Sequence, residues 1–324
     1  MTGNSTTDDQ QARHPAFFIV GQMKSGTTAL YEMLDQHPDV FMSTPKEPQY
    51  FAKDLRARLR PAGRGPLPQT LEEYLDLFAE AGEDQLCGEA SAIYLLSSVA
   101  AEGIAELDPS ARIIAIVREP AALIRSLHMQ TIQDHNEVER DLGRALELEP
   151  SRREGKLIPK SAYRPQELLY SEHVRYVDQL QRFHSAFPPD QILVLVYDDF
   201  RADNEGTVSR VLRFLGLPDE FAIEPTEANP TVMVRSQGAQ RLLHSVSTGG
   251  NGATQTLKRA IKKATPIGLR RRALRFAYDS THAEPPREDL ELMAELRHRF
   301  HPEVVRLSEY LDRDLVSLWG YSDP

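Results

Sequence analysis

The sequence predicts an α/β protein: a P-loop-like three-layer fold with a central parallel sheet flanked by helices. Three observations predict it. Short apolar runs, "FFIV" (17–20), "ARIIAIV" (111–117) and "QILVLVY" (191–197), suit strands buried on both faces. Helix-period segments follow each run, so strand and helix alternate along the chain. A glycine-framed turn, Gly21 to Gly26, joins the first run to its helix.

In chain order, 27–36 reads as a helix with Leu30, Tyr31 and Leu34 on one face, and "DVFM" (39–42) as a short second strand. Helices are predicted over 71–79 and 91–107, and over 119–133 after the strand at 111–117. The Pro, Gly and Arg content of "RARLRPAGRGPLPQ" (56–69) makes it a loop, and "LEPSRREGKLIPKSAYRP" (148–165) reads as a second long loop. One helix is predicted over 165–187, with Leu169, Val174, Val177, Leu180 and Phe183 as its apolar residues, and another over 205–215. The tail, 287–318, reads as one or two packed helices before Trp319, the only tryptophan.

At 324 residues one elaborated domain is expected: a disordered lead over 1–15, then a single domain over 16–324. Within it, 230–285 reads as a variable cap or acceptor region and 286–319 as C-terminal helices. The net charge of −10 argues against nucleic acid as a partner. Cys87 is the single cysteine, so no internal disulfide can form, which fits a reducing compartment. The N-terminus lacks an apolar signal core, and no run approaches the roughly 20 apolar residues of a membrane helix. These features lead us to expect a soluble, cytoplasmic protein.

The turn after the first strand carries the chemistry. A glycine-rich passage from strand to helix aims backbone N–H groups at one point, where the helix dipole adds positive potential, so it suits phosphate or sulfate. An NTPase loop places lysine directly after the second glycine. Here the stretch is Gly21-Gln22-Met23-Lys24-Ser25-Gly26-Thr27-Thr28, with Thr27 in that position and Lys24 inside the loop.

"GQMKSGTT" resembles the phosphosulfate-binding loop of sulfotransferases that use 3′-phosphoadenosine 5′-phosphosulfate (PAPS). A second stretch, "IIAIVREPAALIRSLHMQ" (113–130), is similar to that family's strand–arginine–helix segment, which implies that Arg118 and Ser126 hold the 3′-phosphate. A guanidinium fork suits a phosphate dianion, and a hydroxyl two turns on adds a donor. "STPKEPQYF" (43–51) resembles the K-E-P-x-[YF]-F segment of the bacterial and carbohydrate-type members, related to the heparan N-deacetylase/N-sulfotransferase branch. There the glutamate is the catalytic base, and Glu47 takes its position. "CGEASAIYLL" (87–96), 192–218 and 296–319 extend the resemblance to about residues 16–319, weakest over 230–285.

The resemblance implies an in-line transfer of a sulfuryl group from PAPS to a hydroxyl or amine. Lys24 would meet charge on the bridging oxygen, and Glu47 would take the acceptor's proton. Gln22, Met23, Ser25, Gly26, Thr27 and Thr28 would form the 5′-phosphate site, with Ser25 steering Lys24. No metal is expected, since the leaving group is a phosphate already held by the protein. Arg235, in "MVRSQGAQR" (233–241), matches loosely a basic loop that touches the 3′-phosphate in some members.

Plainer readings stand beside these. Glu47 could merely pair with Lys46, Arg118 could be a surface salt-bridge residue, and His128 is a rival base, set two residues from Ser126. Glu89 would support the loops around the site. A P-loop kinase or NTPase using Mg-ATP is the first alternative function, with Asp198 or Asp199 at the end of "ILVLVYDD" (192–199) as the metal-binding acid. The second is a non-catalytic nucleotide-binding protein of the same fold. The acceptor would be a small molecule, a glycan or a carrier-bound group. Lys258, Arg259, Lys262, Lys263, Arg270, Arg271, Arg272 and Arg275 fall in 251–278 with no acidic residue among them. They form either a solvated helix face or a docking patch for an acidic carrier protein.

Overall fold

The computed structural model describes residues 13–56, 67–220, 224, 233–234, 282–283 and 289–321. Five strands, β1 (Phe17–Gly21), β2 (Val40–Met42), β3 (Leu86–Ala90), β4 (Arg112–Val117) and β5 (Ile192–Val196), form one sheet in the order β2-β3-β1-β4-β5. Every pairing in it is parallel. Parallel strands need crossovers, and these carry helices onto both faces.

Period-two alternation divides the core. Phe18 and Val20 of β1 join Ile113, Ala115 and Val117 of β4 in one apolar cluster. Phe17 and Ile19 join Ile114 and Ile116 in the other. The second face is covered by α1 (Thr27–Leu34) and α9 (Asn204–Leu215) through Leu30, Met33, Leu34, Val208, Val211 and Leu212. The first face takes α3 (Ala100–Leu107), α4 (Pro120–Gln133), α7 (Tyr176–Ala186) and α10 (Leu290–Leu311). Among the described residues the remaining α-helices are α2 (Leu71–Leu75), α5 (Leu142–Glu147), α6 (Glu149–Arg153), α8 (Tyr197–Ala202) and α11 (Leu315–Leu318). A separate antiparallel pair joins β6 (Met233–Val234) to β7 (His282–Ala283). Among the described residues no helix is long and apolar enough to cross a membrane.

Four expectations need correction. The interior strand β3, between β2 and β1, was not foreseen, because "LCGEA" lacks apolar alternation. The expected helix over 91–107 begins only at Ala100; the Leu95 amide instead donates to the Val20 carbonyl at the end of β1, 2.7 Å away. The helix expected over 165–187 is two 3-10 turns, Pro165–Leu168 and Tyr170–Val174, followed by α7. Leu169 and Arg175, with ψ of 72° and 56°, interrupt it. The loop expected over 148–165 contains α6, and α5 precedes it.

A buried polar network fixes the chain after α4. Arg152 reaches both carboxylate oxygens of Glu137 at 2.7 and 2.9 Å, and both side chains are almost wholly buried. The Tyr170 hydroxyl donates to Glu137 at 3.0 Å and lies 3.0 Å from Thr131 on α4. Removing one partner strands a buried charge, at a cost of about 3–5 kcal/mol. Arg152→Ala is therefore expected to lower the unfolding free energy by about that amount, as read by denaturant titration.

Candidate functional site

Sheet topology locates the site. The chain leaves β1 toward one edge and β4 toward the other, so a crevice opens between their C-terminal ends. A cavity of about 600 Å³ lies there, and the loops after β1 and β4 both line it.

The β1 loop is built for close approach. Gly21 has φ 152°, and a Cβ there would stand 2.7 Å from the Leu95 Cβ and 2.9 Å from the Ala92 carbonyl. Gly26 caps α1 at φ 87°, and a Cβ would press on Phe200 at 3.1 Å. Its missing side chain leaves the first amides of α1, those of Thr27 and Thr28, for a ligand. Three non-glycine residues with positive φ line the cavity: Lys24 (62°), Glu47 (60°) and Gln49 (56°). Such backbone costs free energy and persists where the surroundings impose it.

The surroundings do so here. The Gln22 amide donates to the Ile116 carbonyl of β4 at 2.8 Å. The Arg118 Nη1 donates to the Lys24 carbonyl at 2.6 Å, and its guanidinium lies 4.7 Å from the centroid of the Tyr197 ring. The Lys24 ammonium donates to Gln130 Oε1 at 3.1 Å. Burial pushes its pKa below the usual lysine value; the Arg118 charge adds to this, and Asp134 and Glu47 oppose it.

Helix α4 runs along the cavity. Ser126, Gln130 and Asp134 recur every four residues, so they form a row with about 6 Å between successive members. Ser126 is 2% exposed and its hydroxyl has no hydrogen-bond partner, an orphan that a bound anion would satisfy. Gln130 stands in the middle with Lys24. At the far end Asp134 accepts from the Tyr163 hydroxyl at 3.5 Å. Glu47 also lines the cavity, with its side chain 32% exposed, so that position is only partly dry. It pairs with Lys46 at 3.1 Å, as its plainer reading foresaw, and accepts from Gln49 at 3.3 Å. Gln49 in turn accepts from Arg164 at 2.7 Å, so a buried guanidinium sets the amide that meets Glu47.

The sequence-predicted residues divide as follows. Met23, Lys24, Gly26, Thr27, Thr28, Glu47, Arg118 and Ser126 share the cavity. Gln22 turns its side chain away, to the His173 carbonyl (2.7 Å) and Gln179 (3.2 Å), and anchors the loop. The Ser25 hydroxyl is fully buried without a hydrogen-bond partner. The rival base His128 is committed to the Glu139 carbonyl at 2.8 Å, and burial lowers its pKa. Arg235 and the basic residues of 251–278 lie outside the described residues. Asp198 accepts from the Trp319 indole at 2.9 Å, and Asp199 pairs with Arg313 through both oxygens. Both are structural anchors rather than free metal-binding acids. Sequence reasoning missed Gln49, Gln130, Asp134, Tyr163, Arg164, Tyr197 and Arg201, all of which line the cavity. The four-residue spacing from Ser126 could have flagged Gln130 and Asp134; Arg164 is 115 positions from its partner Gln49 and gave no signal.

A model of the sulfotransferase family matches residues 15–221, which include both strand-end loops and Glu47. The chain belongs to the sulfotransferase family. The chain is 26% identical over 215 residues to the human bifunctional heparan sulfate N-deacetylase/N-sulfotransferase 3, covering 63% of this chain and 22% of that protein. It is 28% identical over 210 residues to the mouse heparan sulfate glucosamine 3-O-sulfotransferase 3A1, covering 65% and 48%. It thus spans less than half the length of either relative. In fold it resembles the crystal structure of a sulfotransferase from Alicyclobacillus acidocaldarius, with a TM-score of 0.66, 23% identity and coverage of 95% and 99%.

Behind the Glu47 segment lies a titratable support. The Glu47 amide donates to the Ala90 carbonyl at 3.1 Å and the Gln49 amide to Ser91 Oγ at 2.9 Å. Glu89, wholly buried between them and the core, accepts from Tyr74 (2.9 Å) and Tyr94 (2.8 Å). Burial pushes its pKa up to about 7, although these hydrogen bonds oppose the shift. Glu89 holds its proton more tightly folded than unfolded, so its stabilising effect is full below about pH 4.5 and fades as pH rises through about 7. The loss amounts to about 3 kcal/mol, at roughly 1.4 kcal/mol per pH unit. Glu89→Gln is expected to flatten the fall in stability across that window, measured by denaturant unfolding at successive pH values.

Proposed function

We propose that this sulfotransferase-family chain moves a sulfuryl group from PAPS to a hydroxyl or amine of a carbohydrate, natural-product or carrier-bound acceptor. The observation that carries the reading is the convergence, in one cavity, of a partly desolvated Lys24, the open N-terminus of α1, the Arg118 guanidinium and the orphaned Ser126 hydroxyl. That set fits a ligand with anionic groups at two points and a reacting centre between them.

The donor supplies a sulfuryl group already joined to a phosphate leaving group. The first amides of α1, with Thr27 and Thr28, receive the 5′-phosphate. Arg118 and Ser126 receive the 3′-phosphate. Lys24, between the two ends of α4's row, holds positive charge where the bridging oxygen becomes negative. In a site that excludes water this electrostatic contribution is the largest single one available. Glu47, on the acceptor side, accepts the proton of the attacking group, and Gln49, set by Arg164, fixes the carboxylate's orientation. Transfer of this kind is positioning plus charge stabilisation, as in phosphoryl transfer.

A kinase using Mg-ATP is disfavoured because Asp198 and Asp199 are spent on Trp319 and Arg313. A non-catalytic nucleotide binder would not need Lys24 and Glu47 held in positive-φ backbone beside the same cavity. A glycan acceptor is supported by the heparan sulfate sulfotransferases among the relatives, a carrier-bound acceptor by the basic run at 258–275 alone. A cytoplasmic setting is supported by the single cysteine.

The test is transfer of label from PAPS across an acceptor panel, with the donor and then Mg-ATP offered. Lys24→Ala is expected to abolish transfer while adenosine 3′,5′-bisphosphate still binds. Glu47→Gln should slow transfer by about 10²–10⁴-fold with the donor affinity kept. Phosphate transfer from ATP, or full activity of the Glu47→Gln protein, would contradict the assignment.

A further inference from the structure

Helix α8 follows β5 directly, and each of its first five residues has a different duty. Phe200 is buried beneath Gly26 of the loop. Asp198 accepts from the Trp319 indole, and Asp199 is held by both terminal nitrogens of Arg313. These three contacts fix the rotation of the helix about its axis. The remaining two residues, Tyr197 and Arg201, are four apart, hence on one face. Both line the cavity.

Tyr197 is the ring on which the Arg118 guanidinium lies. Arg201 is therefore one helical turn beyond the surface that orients Arg118. No carboxylate lies within ion-pairing distance of Arg201 among the described residues, whereas Arg313, which reaches Asp199 of the same helix, and Arg213, twelve positions on, are both paired. Arg118, for its part, has Nη1 committed to the Lys24 carbonyl. A phosphate monoester carries close to two negative charges at neutral pH, so part of one guanidinium and one hydroxyl leave it under-compensated.

We propose that Arg201 is a second guanidinium for the donor's terminal phosphate monoester, acting with Arg118 across the Tyr197 ring and selecting nucleotides that carry that group. This rests on the donor reading above. Charge and geometry meet on a helix whose orientation is set from the chain's far end, so the contact is held without cost to the loop. Its exposed position makes the contribution sensitive to salt.

The experiment is calorimetric titration of the full chain with adenosine 3′,5′-bisphosphate and, separately, adenosine 5′-phosphate, at low and moderate salt. Arg201→Ala is expected to weaken the bisphosphate about tenfold while leaving the monophosphate within about twofold. Arg201→Lys should recover part of the loss, and the melting temperature should stay at the wild-type value. An unchanged bisphosphate affinity overturns the assignment, and so does an equal loss for both nucleotides, which reports only a general field. Arg118→Ala run in parallel separates the two readings. If it weakens the bisphosphate and Arg201→Ala does not, Arg201 alone is wrongly assigned. If wild type does not distinguish the two nucleotides, the donor reading falls, and this one with it.

Discussion

The bond from Arg118 to the Lys24 carbonyl is the constraint on which the site depends. It ties the loop after β1 to the loop after β4, across the crevice that the sheet order creates. The Gln22 amide on Ile116 makes the same tie one step deeper. With its carbonyl held, Lys24 is kept in the left-handed region, and its ammonium is directed toward Gln130 on α4. An unfavourable backbone at one residue is thus maintained by favourable bonds at its neighbours, the usual arrangement where a reactive group must be aimed.

The opposite wall is held in a different way. Glu47 and Gln49 also have positive φ, but their amides are pinned to β3 and its continuation, at Ala90 and Ser91. Behind them a buried carboxyl with two tyrosines, and beside them an arginine with Glu167, form polar contacts inside an otherwise apolar layer. Such networks are costly when incomplete and rigid when satisfied. Each wall therefore combines one backbone bond to a strand, Gln22 to Ile116 or Glu47 to Ala90, with side-chain ties of its own.

Much of this was legible in the sequence because the signals are local. Strands β1, β4 and β5 are continuous apolar runs, and the glycine frame with its early lysine lies within eight residues. Lys24, Arg118, Ser126 and Glu47 were found through such short stretches, and the structure brings them to one cavity. What was missed is non-local. β3 is recognisable only from its two neighbours, since Gly88 and Glu89 break any apolar pattern. The stretch from Ser91 to Ser98 has helical composition, yet a tertiary bond from Leu95 to the end of β1 decides its path. Asp198 and Asp199 have the composition of a metal-binding pair, and only the distant Trp319 and Arg313 reveal their other use.

The anchoring of α8 has a consequence for how the molecule matures. Asp199 and Asp198 are separated from Arg313 and Trp319 by 114 and 121 positions along the chain. On the ribosome the sheet can assemble as soon as β5 emerges, because all five strands precede residue 197. The helix that carries Tyr197 and Arg201 gains its final pose only when residues 313–319 have followed it out of the exit tunnel. A nascent chain can therefore have its sheet in place well before α8, and with it one wall of the cavity, is fixed.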